Sequence, residues 1–395
     1  MTICFFSAQY LPTSGGVERY TDHLAKYAAE HGHTVIIVTS ALPGVPERET
    51  TPEGIKIFRL PAKLCMQGRF PVPVINDTFR KLSRELWSKK IDFVVIQTRF
   101  YLLSLYASRE AKKRNIPMML IEHSTGHLVP NGKLAQFVGH IYEHMAARYL
   151  RGKCSHFYGV SNGVCEWLRH FGIRADGVLY NSVDVAEIDK ILHEASENWH
   201  CRLHVPQETK LVLFAGRLIP EKGVQELIDA VQMLGRSDTV LLLAGSGPML
   251  EDLRQRYENS EKIKVLGRLS YEDLLRLYAR ADVLCLPTSY SEGFPTVLLE
   301  GAACGCTEIA SDAGGVREIL PSEEYGIILP STAPADIADA LNRMLSDDAF
   351  RESSRRLLRQ RVENNFDWPV TGRRFLTIAA SVCGAKETNN GDETS

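Results

Sequence analysis

Short apolar runs alternate with amphipathic segments along this chain, and the alternation occurs in two series. The first series has apolar runs at 3–7, 34–39, 93–96, 118–122 and 156–160, and the second has them at 211–215, 240–244, 264–266, 283–286 and 307–310. Runs rich in valine and isoleucine are typical of buried parallel strands, and intervening segments such as 17–31 have helical spacing. Repeated strand–helix units with right-handed crossovers therefore predict an α/β chain with two parallel sheets.

The length of the chain also indicates two domains. Its 395 residues are too many for one ordinary core and fit two domains of similar size. We place the N-terminal domain at residues 1–185 and the C-terminal domain at residues 186–365. A last helix at about 366–380 is predicted to cross back to the first domain. The polar tail, 384–395, is predicted to be disordered.

Composition excludes several classes of partner and compartment. The net charge of −2 gives no electrostatic reason to expect nucleic acid as a partner. Nine cysteines are scattered without a CxxC pair, which is typical of a reduced cytoplasmic chain. The N-terminus lacks the basic region of a signal peptide, and no run approaches the ~20 apolar residues that span a bilayer. We expect a cytoplasmic protein, with the inner face of the membrane as an alternative.

One ten-residue segment combines two glutamates with a predicted helix start: Ser291-Glu292-Gly293-Phe294-Pro295-Thr296-Val297-Leu298-Leu299-Glu300. Pro295 suits the first helical position, because its φ is already helical and its missing N–H has no intrahelical partner. The N–H groups of Thr296 and Val297 would then point out of the helix end, where phosphate or hydroxyl oxygens can bind. Glu300 lies more than a turn deeper. This arrangement suits an elongated ligand such as a nucleotide-sugar.

The segment resembles the Glu-x7-Glu signature of retaining glycosyltransferases of family 4, also called group 1. Residues 216–223 (Gly-Arg-Leu-Ile-Pro-Glu-Lys-Gly) are similar to the phosphate-binding turn of that family, and residues 244–248 and 312–315 are similar to two later loops. The order and spacing agree across roughly residues 210–330. A weaker match is visible in the first half, at 14–18 and 122–124.

The resemblance implies the GT-B fold, in which two facing Rossmann-like domains with parallel sheets bind ligands in an interdomain cleft. It also implies a retaining hexosyltransferase that needs neither a metal nor a cofactor. The donor would be a UDP- or GDP-sugar, and the acceptor would be a hydroxyl of a glycan, a lipid-linked saccharide or a small glycoside. No Asp-x-Asp triplet occurs in the chain, which agrees with a metal-independent reaction.

Transfer from such a donor leaves negative charge on the departing diphosphate, so positive charge must meet it. Arg217 and Lys222 are the natural pair, since arginine can grip a diphosphate bidentately and lysine is a movable point charge. The resemblance assigns Glu292 to the donor sugar, Glu300 to the ribose hydroxyls, and His123 to the face shared by sugar and acceptor. The predicted donor-binding set is Gly15, Gly16, Arg217, Lys222, Glu292, Gly293, Phe294, Thr296, Val297 and Glu300; the predicted catalytic set is Glu292, His123, Arg217 and Lys222.

Two other enzymatic interpretations remain open. A nucleotide-sugar epimerase or binder on the same fold would use the same donor residues. The segment 159–163 (Gly-Val-Ser-Asn-Gly) matches a nucleophile elbow, which would make Ser161 the nucleophile of an α/β-hydrolase. A helix N-cap explains the same serine.

Two further patterns concern metal and membrane. His140-Ile141-Tyr142-Glu143-His144 matches a zinc-peptidase pattern, and both histidines could share one helical face. Short patterns of this kind arise by accident, so we expect no metal site. Residues 70–90 combine Phe79, Leu82 and Leu86 with several basic side chains, a pattern that indicates either peripheral membrane contact or a helix covering the first sheet.

Overall fold

The computed structural model describes residues 1–13, 15–66, 68–127, 133–194, 198–289 and 293–389. The chain divides into two compact units. The first comprises Met1–Asn181 together with the residues from Trp368 onward, and the second is Ser182–Asp367. The boundary therefore lies four residues before the predicted one at 185/186.

The first unit is built on one large sheet. Its strands are β1 (Thr2–Phe6), β2 (Thr34–Ser40), β3 (Arg48–Thr50), β4 (Lys56–Leu60), β5 (Ala62–Cys65), β6 (Phe70–Pro73), β7 (Phe93–Gln97), β8 (Met118–Glu122), β9 (His156–Gly159) and β10 (Gly177–Val178). Its helices before residue 181 are α1 (Gly16–Glu30), α2 (Asp77–Trp87), α3 (Leu102–Lys113), α4 (Lys133–Arg151) and α5 (Asn162–His170). Strands β5 and β6 form a separate hairpin.

The strand order of the first sheet is β10-β9-β8-β7-β1-β2-β4-β3. All described pairs are parallel except β3 with β4. The central strands are buried along their whole length, as strands covered by helices on both faces must be. The chain order reverses between β1 and β7. In such doubly wound sheets, ligands bind beyond the carboxyl ends of the strands at this switch point.

The second unit repeats the design in a continuous stretch of chain. Its elements are α6 (Val185–Glu194), α7 (Trp199–Leu203), β11 (Lys210–Ala215), a 3₁₀ turn (Pro220–Lys222), α8 (Val224–Leu234), β12 (Thr239–Ala244), α9 (Leu250–Tyr257), β13 (Ile263–Gly267), α10 (Tyr271–Arg280), β14 (Val283–Leu286), α11 (Thr296–Ala303), β15 (Thr307–Ser311), α12 (Val316–Ile319), β16 (Ile327–Leu329), α13 (Pro334–Ser346) and α14 (Asp348–Asn365). Its parallel strands are ordered β13-β12-β11-β14-β15-β16. The switch point therefore lies between β11 and β14.

The last helix, α15 (Trp368–Asn389), belongs to the first unit. Its Phe375 ring lies 5.6 Å from Phe5 on the central strand β1, and its Trp368 ring lies 5.4 Å from Tyr20 on α1. The helix runs nine residues beyond the predicted end at 380 and so includes residues 384–389 of the tail, whose disorder stays a prediction. Residues 390–395 lie outside the described residues.

Helix α2 supports the interpretation of residues 70–90 as a helix that covers the first sheet, while peripheral membrane contact stays a prediction. Phe79, Leu82 and Leu86 are all buried in the core of the first unit. Asn76 caps the helix, since its side chain accepts a hydrogen bond from the N–H of Phe79 at 2.8 Å. The apolar side of α2 thus covers the sheet and is not available to enter a lipid layer.

Candidate active site

The residues predicted to meet the diphosphate follow the two strands that flank the switch point of the second unit. Gly216 and Arg217 come directly after β11, and Lys222 ends the 3₁₀ turn that follows. Arg217 is exposed and Lys222 is half-buried. The segment that leads into α11 follows β14, the neighbouring strand. Adjacent parallel strands bring their carboxyl ends to one edge of the sheet, so these loops lie side by side.

Hydrogen bonds fix the loop that carries Lys222. The carbonyl oxygen of Glu221 accepts from the N–H of Ser289 at 2.9 Å, from Ser289 Oγ at 3.1 Å and from Thr288 Oγ1 at 3.2 Å. The next residue but one, Gly223, has φ +70°, and a Cβ there would lie 2.0 Å from the carbonyl oxygen of Pro287. The backbone after Lys222 therefore packs directly against the end of β14, which only glycine permits.

A second glycine loop supports the first. Gly245 and Gly247 follow β12, with φ +151° and +158°, and added Cβ atoms would lie 1.8 Å from Gly216 O and 2.4 Å from Leu218 O. The N–H of Leu218 donates to Ser246 O at 2.9 Å. The two turns touch through backbone atoms, and a side chain at Gly245 or Gly247 would separate them. This contact accounts for the glycines in residues 244–248, the segment that is similar to a family loop.

The helix predicted to present its N-terminus is α11. Pro295 is its N-cap, with φ −78° and ψ 96°, so the prediction that Pro295 is the first helical residue is wrong by one position. Thr296 and Val297 are then the first two helical residues, whose N–H groups have no acceptor within the helix. Phe294 is buried against Phe366, with ring centroids 5.4 Å apart, and Gly293 precedes it. Glu292 lies outside the described residues.

Glu300 lies in the second turn of α11, four residues after Thr296, and is only 6% exposed. Residues four apart share one face of a helix, so Glu300 lies on the same face of α11 as Thr296, the first helical residue. The phenol of Tyr278 has a pKa well above its usual value, first because it is buried and then because the negative charge of Glu300 is close.

The first unit places His123 directly after β8, one strand from its own switch point. Its Nε2 lies 2.7 Å from Oε1 of Gln97, and its ring meets the Tyr20 ring edge-on at 4.8 Å. Burial lowers the pKa of His123 to about 3, so the ring is neutral at pH 7. With Gln97 Oε1 as acceptor, Nε2 carries the proton and Nδ1 is left as a hydrogen-bond acceptor.

Gly15 and Gly16 open α1 after β1, the other strand of that switch point. Gly15 is the N-cap, and a Cβ there would lie 2.3 Å from a carboxylate oxygen of Glu18. A Cβ on Gly16 would meet nothing within 4 Å. A side chain at Gly15 would therefore displace the Glu18 carboxylate, and Gly16 leaves an open approach to the backbone at the helix N-terminus.

A buried charge network behind His123 was not predicted. Arg99, which follows β7, has no exposed side chain and forms ion pairs of 2.9 Å with Glu122 and 2.6 Å with Glu143. The other carboxylate oxygen of Glu122 accepts the N–H groups of His123 at 3.1 Å and Ser124 at 3.2 Å. The network thus fixes the backbone that carries His123. The available signal was the polar triplet 97–99 (Gln-Thr-Arg) directly after an apolar strand.

Ser161 is a helix cap. It is fully buried, its Oγ accepts from the N–H of Val164 at 3.1 Å, and its backbone is extended, with φ −159°. A nucleophile elbow would hold the serine in a strained turn with its hydroxyl exposed. Gly159 has a packing role, because a Cβ there would lie 2.8 Å from Cys165 Sγ. The hydrolase interpretation is therefore wrong.

Comparison with known proteins identifies the family. A model described as "Glycosyltransferase Family 4" matches residues 14–187, and one described as "Glycosyl transferases group 1" matches residues 195–363. The chain belongs to the group 1 glycosyltransferases. The two matches correspond closely to the two structural units.

Whole-chain similarities agree with this family. This group 1 glycosyltransferase is 22% identical to the uncharacterized glycosyltransferase MJ1069 of Methanocaldococcus jannaschii, over 95% of this chain and 97% of that protein. Sucrose-phosphate synthase from Thermosynechococcus elongatus is similar in structure, with TM-score 0.75, 21% identity and coverage of 97% and 99% of the two chains. Anabaena Alr3699/HepE in complex with UDP gives TM-score 0.74 at 18% identity, covering 96% and 100%. The predicted GT-B fold is confirmed.

Among the described residues, no helix of this glycosyltransferase combines the length and the apolar character that crossing a lipid bilayer requires.

Proposed function

We propose that this glycosyltransferase moves a hexose from a UDP- or GDP-sugar to a hydroxyl acceptor, with retention at the anomeric carbon and without a bound metal. One observation carries the proposal. Two cations and the N-terminus of α11 follow β11 and β14, the strands that flank the switch point of the second unit. A diphosphate is the ligand that fits such a site, because both features favour negative charge. HepE, of the same fold, was crystallised with UDP-glucose.

The site residues then divide the work. Arg217 and Lys222 stabilise the charge that develops on the β-phosphate as the bond to the anomeric carbon breaks. Glu300 accepts hydrogen bonds from the ribose hydroxyls, as acidic residues do in other Rossmann-type sites. Glu292 holds the hydroxyls of the donor sugar and is not a nucleophile.

The acceptor attacks from the face that the leaving group vacates, and the departing phosphate takes the acceptor proton. This same-face route leaves the anomeric configuration unchanged. Neutral His123 would accept a hydrogen bond through Nδ1 from a sugar or acceptor hydroxyl and so help to orient it. The compensating charge comes from side chains and helix N–H groups, which is why no metal bridge to the diphosphate is invoked.

Calorimetry with bare UDP and bare GDP tests the donor site without knowledge of the acceptor. Arg217→Ala and Lys222→Ala should each weaken binding of the preferred nucleotide by about ten- to a hundredfold, the loss of one charge-assisted hydrogen bond. Arg256→Ala and Lys190→Ala are matched controls, because these cations form surface ion pairs with Asp252 and Glu194 within their own helices. If the control variants lose as much nucleotide affinity as Arg217→Ala and Lys222→Ala, the assignment of these two cations to the diphosphate is wrong.

Variants of the two glutamates should distinguish binding of the ribose from binding of the donor sugar. Glu300→Ala should weaken binding of the bare nucleotide, whereas Glu292→Ala should leave that binding unchanged and slow sugar transfer. Loss of nucleotide affinity in Glu292→Ala but not in Glu300→Ala would reverse the assignment.

Product analysis tests the reaction itself. A glycosylated acceptor with the anomeric configuration of the donor, identified by NMR, supports retaining transfer, while an inverted product contradicts retention. An epimerised donor as the only product would show the epimerase alternative. Addition of Mg²⁺ or Mn²⁺ to metal-free enzyme should leave the transfer rate within about twofold, the spread expected when no metal stabilises the transition state.

A further inference from the structure

Three histidines that are distant in sequence converge on one face of the first unit. His127 lies in the loop after β8, His144 lies on α4, and His170 is the last residue of α5. One nitrogen from each ring can be chosen so that all three lie within 4.8 Å of one another. This cluster lies outside the donor residues of the second unit, and the proposed transfer reaction does not use it.

The arrangement suits a divalent transition metal better than any other ligand. Zn²⁺ is commonly bound by three protein ligands with water in the fourth position, and three histidines form one such set. With Zn–N distances of about 2.0–2.1 Å and tetrahedral geometry, the nitrogens stand about 3.3 Å apart. The rings must therefore approach by at most about 1.5 Å. His144 and His170 are exposed, so rotation of their side chains can close this difference.

A carboxylate stands behind the most buried of the three rings. Glu143 Oε2 lies 3.4 Å from Nδ1 of His127, and Arg99 holds that same oxygen at 2.6 Å. Metal-binding histidines usually direct their other ring nitrogen toward a carboxylate, which fixes the ring and strengthens its basicity. With Nδ1 facing Glu143, Nε2 of His127 is the atom available to an ion.

Aromatic packing is the competing explanation. His170 stacks on Trp167 with centroids 4.9 Å apart, and His140 stacks on His127 at 4.0 Å. Stacking accounts for these pairs, but it does not require the nitrogens of His127, His144 and His170 to converge. The cluster also differs from the zinc-peptidase pattern in the sequence, since His144 joins partners from two other elements and His140 is not one of the three.

We propose that His127, His144 and His170 form a binding site for a divalent transition-metal ion, with Zn²⁺ as the best match. The ion would join the loop after β8 to α4 and α5. That loop begins at His123, four residues before His127, so the metal would stabilise the segment that carries a predicted active-site residue. The role is structural, and the ion takes no part in the transfer chemistry.

The test uses the full chain, stripped of metal and then titrated with Zn²⁺ by calorimetry and with Co²⁺ by visible absorption. We expect one saturable site and a higher melting temperature with Zn²⁺, because a ligand that binds only the folded state stabilises it. His144→Ala and His170→Ala should each weaken that site by about a hundredfold or more, since even outer partners of a metal contribute ten- to a hundredfold. Both side chains are exposed, so the variants should fold.

Two controls make the outcome decisive. His193→Ala changes an exposed histidine on α6 in the other unit and should bind Zn²⁺ as the wild type does. Equal affinities for His144→Ala, His170→Ala and His193→Ala would overturn the site and leave aromatic packing as the explanation. Loss of binding in His140→Ala but not in His170→Ala would overturn it in favour of the pair on α4. Any zinc held by cysteine thiols would persist in the His144→Ala/His170→Ala double variant and can be subtracted.

Discussion

The two ends of α8 offer a matched pair of glycines that tests how the loop of Lys222 is held. Gly223 precedes the helix with φ +70°, and Gly235 follows it with φ +66°. Alanine at either position adds a Cβ to a left-handed residue, which costs about 1–2 kcal/mol. The surroundings differ. A Cβ at 223 would lie 2.0 Å from Pro287 O, whereas a Cβ at 235 would meet its nearest atom, Met233 O, at an ordinary 3.9 Å.

We expect both variants to be less stable than the wild type, but only Gly223→Ala to bind the nucleotide more weakly. A cost of about 1–2 kcal/mol lowers the melting temperature of a unit of this size by about 2–8 °C. In Gly223→Ala the backbone must also retreat by about 1 Å to restore a tolerable contact, because real Cβ atoms essentially never approach within 3.0 Å. That shift would move Lys222 away from the phosphate that we propose it binds, and nucleotide binding should weaken by about ten- to a hundredfold.

Calorimetry with UDP and GDP, together with a thermal melt, measures both quantities. Gly235→Ala should keep the wild-type affinity at a lowered melting temperature. If Gly223→Ala binds the nucleotide as tightly as Gly235→Ala, the packing of this turn against Pro287 does not position Lys222, and the reasoning fails.

Two further predictions concern buried polar groups. Ser161→Ala removes the N-cap of α5 and should cost about 0.5–2 kcal/mol, seen as a lower melting temperature, with the transfer rate of the folded enzyme unchanged; a large loss of rate in the folded variant would contradict a purely structural role for Ser161. Glu308, on β15, has a pKa raised well above its usual value by burial, so the folded state retains a proton that the unfolded state releases above pH ~4.5. Stability should therefore fall as pH rises above that value, and Glu308→Gln should flatten this slope in denaturant titrations at pH 5 and pH 8, whereas an unchanged slope would contradict the assignment.

Hydrophobic periodicity predicted most of the fold, because each buried parallel strand is recognisable from its own apolar run. Each of the ten predicted strands lies within one residue of an observed strand, from β1 at Thr2–Phe6 to β15 at Thr307–Ser311. The short strands at sheet edges, such as β3 and β16, were missed. A strand of three residues carries too little hydrophobic pattern to be recognised.

The donor segments were accessible from sequence because each is local. The turn with Arg217 and Lys222 and the helix start near Thr296 are short motifs with fixed spacing, and the structure shows which strands they follow. Their roles stay predictions. Pro295 was misplaced by one residue, because a proline suits both the N-cap and the first helical position of α11.

The pairings that cross the chain could not be predicted. Arg99 meets a carboxylate 44 residues away, and no periodicity relates the two positions. His127, His144 and His170 come from three elements whose proximity depends on the packing of α4 and α5 against the sheet. The amphipathic pattern of α2 was read correctly as a helix, but a pattern cannot say whether core or lipid covers its apolar side.

The return of α15 to the first unit sets an order for biosynthesis. The second unit is one uninterrupted stretch and can complete its core soon after residue 367 leaves the ribosome. Most of the first unit is synthesised earlier, but its core is incomplete until α15 is made. Phe5 packs against Phe375, and Tyr20 packs against Trp368, and both partners lie on α15. The first unit therefore completes its core after the second unit. A chain that lacks α15 exposes the apolar side chains of the first unit that α15 covers, and chaperones and proteases can recognise this surface.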